Sequence, residues 1–247
     1  MKYTQKFTGL AKVYNKFRPT YGRWVIDQFE PVNVVDVGAG TGIFTRDLLE
    51  LTPYRVLAVE PNDDMRAELK ENLKDYANST RLYVINACAE SMPIKSGTID
   101  IVVAAMSFHW FDVEKFRLEC KRILKPGGML YLVYNSRVEN NPMAQDMIAL
   151  FKRTCPDYSG FSGGLTYALE KADDVFSTYS VSKIERPYTF DREAWLGRNF
   201  SSSYAPKEGD CNYEEFVNGL NKIFDDYSVG GEITLQNDLV VIKGPVK

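Results

Sequence analysis

The sequence predicts an α/β fold: a doubly wound, mostly parallel sheet of seven strands, with helices on both faces and helical additions beyond them. Three observations carry this. Short β-branched runs alternate with amphipathic helical stretches from about residue 32 to 135. The first run ends in a glycine-rich turn that opens a helix. Further helical stretches and two late strand-like runs fill the second half. Strands joined by helical crossovers pair in parallel and carry helices on both faces.

Val32–Val37 reads as a buried strand, followed by a helix over Thr41–Leu51. Arg55–Glu60 is a second strand. In the next helix Met65, Leu69, Leu73 and Tyr76 or Ala77 recur at helical spacing and form one apolar stripe. Arg81–Asn86 and Ile99–Ala105 supply two more strands. Asp112 is placed to N-cap a helix whose stripe is Phe116, Cys120 and Ile123. Lys125-Pro126-Gly127-Gly128 stops that helix, and Met129–Asn135 is the fifth strand. Helices are predicted over 142–155, Asp191–Phe200 and Tyr213–Tyr227, and late strands over Val181–Tyr188 and Glu232–Lys243, completing the sheet edge. Gly160–Gly164 reads as a flexible joint too short to mark a domain boundary.

Composition narrows the function. The 247 residues carry 30 Lys+Arg and 33 Asp+Glu, a formal charge of −3, with 45% hydrophobic and 26% charged residues. That is an ordinary globular balance, which excludes collagen-like, coiled-coil and largely disordered chains. The longest uncharged apolar stretch, Ile101–Met106, is far short of the ~20 residues that span a bilayer. The opening residues are polar and aromatic with no export-type apolar core, so a cytoplasmic protein is expected. Cys88, Cys120, Cys155 and Cys211 lie 32, 35 and 56 positions apart and His109 is the only histidine, so neither a metal site nor a disulfide framework is expected. Basic residues are scattered, which argues for a small-molecule partner and against nucleic acid or a membrane; oligomeric state is not legible.

The strongest chemical signal is Val34-Val35-Asp36-Val37-Gly38-Ala39-Gly40-Thr41-Gly42. Glycines between a strand and a helix let backbone approach a ligand closely, and the helix start offers unpaired N–H groups. Glu60 ends the next strand, 18 residues after Gly42, where a carboxylate accepts hydrogen bonds from both ribose hydroxyls. Taken as solvent-facing, Glu60 is expected to matter for cofactor affinity and little for the stability of the ligand-free protein. The nicotinamide fingerprint needs a third small residue where this chain has Ile43. Asp36, two positions before the first glycine, repels a pyrophosphate and tolerates an ammonium group. The pattern favours an amino-acid-bearing nucleoside over a dinucleotide.

These residues resemble the class I S-adenosylmethionine-dependent methyltransferases, especially the small-molecule type, whose fold is Rossmann-like. Ala58-Val-Glu-Pro-Asn-Asp-Asp-Met65 is similar to the family's second strand, ribose carboxylate and adenine-packing Met. Asn86-Ala-Cys-Ala-Glu90 is similar to its adenine-edge loop, and Asp100–Phe111 to its fourth strand and the loop beside the reacting methyl. Ile123-Leu-Lys-Pro-Gly-Gly-Met-Leu130 matches its helix-to-fifth-strand signature. The family usually has Asp where this chain has Cys88, a weak acceptor, which shifts adenine recognition toward the backbone of Cys88 and Ala89. Tyr14-Asn-Lys-Phe-Arg18-Pro19-Thr-Tyr21 resembles a lid found in part of the family.

The resemblance implies S-adenosylmethionine as cofactor, met by Arg18, Asp36, Gly38, Ala39, Gly40, Glu60, Pro61, Met65, Cys88, Ala89, Glu90 and Ala105. It implies a small-molecule acceptor met by Tyr14, Tyr21, His109, Trp110 and Tyr204, with His109 as the catalytic residue, either taking the acceptor's proton near an unperturbed pKa of about 6.5 or orienting the acceptor through a hydrogen bond. One domain over 1–247 is expected: lid helices in 1–30, a cofactor-binding core in 31–136, acceptor-pocket additions in 137–228 and a terminal strand in 229–247. The rival readings are a regulatory protein that binds the same cofactor without turnover and a nicotinamide-dependent oxidoreductase.

Overall fold

The computed structural model describes residues 11–29 and 33–247, with the side chains of Val13 and Tyr14 outside the description. Val32, expected to open the first strand, also lies outside it, as does part of the expected N-terminal lid. In chain order the first half forms α1 (Ala11–Phe17), α2 (Arg23–Ile26), β1 (Asn33–Val37), α3 (Ile43–Leu51), β2 (Arg55–Val59) and α4 (Asp63–Asn72). It continues with β3 (Leu82–Ile85), β4 (Ile99–Ala105), α5 (Val113–Ile123) and β5 (Leu124–Arg137). The second half adds α6 (Pro142–Thr154), α7 (Gly163–Glu170), α8 (Ala172–Val175), β6 (Ser180–Glu185) and β7 (Tyr188–Phe190). It closes with α9 (Arg192–Phe200), α10 (Tyr213–Tyr227), β8 (Ile233–Leu235) and β9 (Asn237–Gly244).

Local chemistry sets the helix starts. Side chains of Asn62, Asp112, Asn141 and Asp191 accept from the amides three residues on, at 2.8 to 3.1 Å, capping α4, α5, α6 and α9. Among the described residues the strands form a seven-stranded sheet in the order β3-β2-β1-β4-β5-β9-β6, with β1 to β5 parallel and β9 antiparallel to both neighbours. Successive residues of β4 feed opposite layers: Ile101 and Val103 pack under α2, α3 and α4, whereas Val102 and Ala104 pack on the side of α5, α7 and α8. A third apolar cluster, around the fully buried Trp195, joins α6, α9 and α10. No helix among the described residues is long and apolar enough to cross a membrane.

The second half departs from the sequence reading in three places. The expected strand Glu232–Lys243 breaks at Gln236, and its first part, β8, pairs with β7 in a separate two-stranded ribbon. The strand expected over Val181–Tyr188 likewise ends at Glu185. Together β9 and β6 complete that edge of the sheet, as expected, with β9 inside and β6 outermost. The continuous apolar run of β9, Leu239-Val-Val-Ile242, is buried throughout, as a central strand requires. β6 is the edge, with exposed residues and a Lys183–Asp238 ion pair at 2.8 Å. Finally, the glycine segment read as a joint leads straight into α7 and α8, two short helices whose weak periodicity left no signal.

A buried carboxylate helps to fasten the N-terminal segment to this frame. Asp47 on α3 is buried, and its Oδ2 accepts from the amides of Tyr21 at 2.7 Å and Gly22 at 2.9 Å. Asp47→Ala leaves both amides without that acceptor, at a cost of about 1–3 kcal/mol, and should lower the thermal midpoint by several degrees. Asp47→Asn, which keeps an acceptor oxygen, should recover most of the loss. An unchanged midpoint in Asp47→Ala would show that other contacts hold the segment.

Candidate active site

The order of the sheet reverses between β1 and β4, and the loops leaving their carboxyl ends diverge to open a crevice there. The glycine loop lines it. Gly38 has φ +70°, and a Cβ there would lie 2.6 Å from the Cβ of Ser107. No other residue type fits that turn. Ser107 in turn donates to the carbonyl of Val37 at 2.6 Å, tying the loop after β4 to the end of β1. The amides of Gly38 and Ala39 donate to the Val59 carbonyl at 2.8 and 3.0 Å.

Glu60 does more than the sequence suggested. It is 7% exposed, and its two carboxylate oxygens accept from the Gly40 amide at 2.9 Å and the Asn62 amide at 2.8 Å. It is therefore not solvent-facing: it clamps the glycine loop to the start of α4. Burial raises its pKa, offset by those amide bonds. Its removal must cost stability, which corrects the expectation of a neutral effect on the ligand-free protein. Each oxygen keeps a second acceptor position for a ligand hydroxyl.

Asp36 lies at the end of β1, 1% exposed. Its Oδ2 accepts from the Thr45 hydroxyl at 2.6 Å, whereas Oδ1 is buried with no hydrogen-bond partner among the described residues. Burial, with the Glu60 charge adding to it, pushes its pKa up from 3.8 to about 7. An orphaned, reluctant carboxylate of this kind is a ready acceptor for an ammonium group. Asp36, Gly38, Ala39, Gly40 and Glu60 line a cavity of about 200 Å³. Pro61, Met65, Cys88, Ala89, Glu90 and Ala105 line the same cavity. Arg18 also lines it, donating to Ser201 through Nε at 3.0 Å and to its carbonyl at 3.1 Å.

A second cavity, of about 730 Å³, adjoins the first; Arg18, Met106, Trp110, Asn135 and Arg198 line both. At this junction Met106 has φ +57°, the left-handed region that side chains rarely adopt, and its sulfur accepts from the Asn135 amide at 3.1 Å. The 3₁₀ turn Phe108–Trp110 follows, and Phe108 is buried in the core. His109 and Tyr204 line the second cavity. Tyr21 lines the first, buried with its ring edge-on to Phe44 at 5.1 Å, so the structure sets it beside the glycine loop, apart from His109 and Tyr204. Tyr14, also expected on the acceptor side, lies outside the described side chains.

His109 is not an exposed, unperturbed imidazole. It packs beneath α7, where a Cβ on Gly164 would come within 2.8 Å of its Nδ1, and that nitrogen is buried without a hydrogen-bond partner among the described residues. Burial holds its pKa down, from 6.5 to about 4. The sequence reading also missed Met106, Asn135, Arg137 and Arg198. Asn135 and Arg137 ride on the last residues of β5 and could have been found by continuing that strand to its carboxyl end; Arg198 on α9 left no local signal.

The strand order and the crevice define a doubly wound α/β protein with its site at the carboxyl ends of the central strands. Residues 35–132 match the model of a methyltransferase domain. An uncharacterised methyltransferase-like protein of Schizosaccharomyces pombe is 30% identical over 158 residues, 60% of this chain and 58% of its own length. An uncharacterised methyltransferase of Mycobacterium tuberculosis is 34% identical over 136 residues, 54% of this chain and 53% of its own. The chain thus spans little more than half of these relatives. A solved structure from Anaeromyxobacter dehalogenans, provisionally named a type II methyltransferase, superposes with a TM-score of 0.69 over 93% of this chain and 98% of its own, at 21% identity, a likeness of fold. Residues 35–132 thus match a methyltransferase domain, and the fold around them is shared with that solved structure.

The raised pKa of Asp36 has a measurable consequence. In the unfolded chain it ionises near 3.8 and in the folded protein near 7, so between these values the folded state binds more protons. Its contribution to stability is complete below about pH 4 and is lost as pH rises to about 7. Urea unfolding of ligand-free Asp36→Asn should accordingly show a smaller fall in stability across that window than the parent protein. Identical slopes would mean that Asp36 is solvated.

Proposed function

We propose that the chain catalyses methyl transfer from S-adenosylmethionine to a nucleophilic O, N, S or C atom of a small-molecule acceptor, releasing S-adenosylhomocysteine. The observation that carries this is the pairing of the cavities: one floored by the glycine loop, Asp36 and Glu60, opening at Met106 and Trp110 into a second, larger one. The residues of the first fit the cofactor group by group. The unused acceptor positions of Glu60 suit the ribose hydroxyls, and the orphaned Oδ1 of Asp36 suits the ammonium group. Pro61, Met65 and the Cys88–Glu90 turn suit the adenine, and Arg18 suits the carboxylate.

When bound, S-adenosylmethionine supplies a methyl group on a positively charged sulfur, already activated for transfer. The protein's task is then to hold the acceptor in line and keep water out. Met106, Trp110 and Asn135 at the junction do the aligning. His109, with a pKa of about 4, is neutral at pH 7 and a weak base, so it orients the acceptor through a hydrogen bond and takes up a proton only from an acidic one.

Calorimetry should show one S-adenosylhomocysteine bound per chain and no binding of NADH. With an acceptor found by single-turnover screening, His109→Ala should slow methyl transfer by about tenfold or more while changing S-adenosylhomocysteine affinity less than about threefold. NADH binding without S-adenosylhomocysteine binding would end the methyltransferase reading. Lost stability with normal turnover per folded molecule would make His109 structural.

A further inference from the structure

Arg137, the last residue of β5, is 7% exposed and lines the second cavity. Its direct contacts are uncharged: Nη2 donates to Asn199 Oδ1 at 3.3 Å, Nη1 lies 3.9 Å from the Met147 sulfur, and the guanidinium stacks 3.9 Å from the centroid of Phe161, while the charges of Arg18 and Glu139 act on it from farther off, in opposite directions. Among the described residues no carboxylate pairs with it. A guanidinium offers five N–H donors, and burying its charge without an anion is costly. Burial lowers its pKa only to about 10, so it stays protonated at neutral pH.

A second feature faces the same cavity. The first residues of α7, Gly163, Gly164 and Leu165, line it, and the preceding Ser162 does not cap the helix. The Ser162 hydroxyl instead donates to Glu139 at 2.7 Å and accepts from Ser136 at 3.1 Å. The open amides and partial positive charge of this helix start therefore add to Arg137. Glu139, Asp157 and Glu170 also line the cavity, but Asp157 and Glu170 are exposed and screened by solvent. Against that balance a singly charged planar anion fits better than a doubly charged tetrahedral one. Phe161, Tyr167 and Tyr204 supply an aromatic wall for the rest of a ligand.

Building on the methyltransferase reading, we infer that the acceptor carries a carboxylate, held by Arg137 and the open start of α7, with its apolar body on the aromatic wall. Arg137 lines only the second cavity, so this carboxylate is an anchor, and a different atom of the acceptor reaches the junction at Met106 and Trp110.

Three probes test this by calorimetry, on the ligand-free protein and on protein saturated with S-adenosylhomocysteine: phenylbutyrate, its neutral amide, and phenylpropylphosphonate. The carboxylate should bind about tenfold more tightly than the amide, a margin expected of a charged bidentate pair. Arg137→Met should abolish that margin while leaving affinity for the amide and for S-adenosylhomocysteine within about threefold. Arg137→Met should also raise the thermal midpoint of the ligand-free protein, because it removes a buried charge without an anion; a purely structural arginine would lower it. Equal binding of acid and amide by the parent protein, a margin that survives in Arg137→Met, or tighter binding of the phosphonate each overturns the carboxylate assignment. The acid–amide comparison on the parent protein decides the matter even if the variant does not fold. Failure of S-adenosylhomocysteine to bind, with the carboxylate margin intact on ligand-free protein, overturns the methyltransferase reading and leaves the anion site standing.

Discussion

Glu60 holds the site together. Its carboxylate, taken out of water at the end of β2, bridges the Gly40 amide of the glycine loop and the Asn62 amide at the start of α4. Charged hydrogen bonds of this kind contribute roughly 1.5–3 kcal/mol each, which offsets part of the cost of burying the charge. The loop is thereby set in shape before any ligand arrives, so binding need not order it. The neighbouring constraint at Gly38, pressed against Ser107, fixes the other side of the same loop to the end of β4. The ends of β2, β1 and β4 and the helix starts beyond them are so fixed relative to one another by a few short contacts.

From this anchor follows a division of charge across the crevice. On the glycine-loop side the buried groups are acidic, Asp36 and Glu60, both with raised pKa values because their ionised forms are poorly solvated. On the far side the buried group is the basic Arg137, with Arg198 at the junction of the two cavities and the acidic residues of the second nearer the surface. The first side suits a ligand end bearing positive charge, the second a ligand end bearing negative charge. Met106 stands between them in a left-handed backbone conformation. Strained residues persist where surrounding structure over-determines them, and here the fixed ends of β4 and β5 do so.

The first half of this architecture was legible because its signals are local. A β-branched strand, a glycine turn, a capping Asp112 and the stripe of α5 each declare themselves within a dozen residues. The positions of Asp36, Glu60 and His109 at strand ends followed from the same reading. What did not follow was anything set by burial or by distant partners. The inward insertion of β9 depends on pairing with β5 and β6, although its unbroken apolar run held a clue. The helices α7 and α8 were hidden by the glycines that begin α7, the second of them needed because His109 leaves no room for a side chain at position 164. Covered by that helix, His109 has a pKa near 4, far from the 6.5 that sequence alone suggests. Arg137 looked like an ordinary polar residue past a strand end until the fold closed over it.

The central claim is that one continuous crevice has a nucleoside end at Glu60 and an acceptor end at Arg137. A crystal structure of the protein soaked with S-adenosylhomocysteine tests it most directly. The account predicts the ribose hydroxyls on the Glu60 carboxylate, the ammonium group on Asp36, the sulfur toward Met106, and the second cavity left open. Density for the ligand in the second cavity, or a ribose bound away from Glu60, would contradict it.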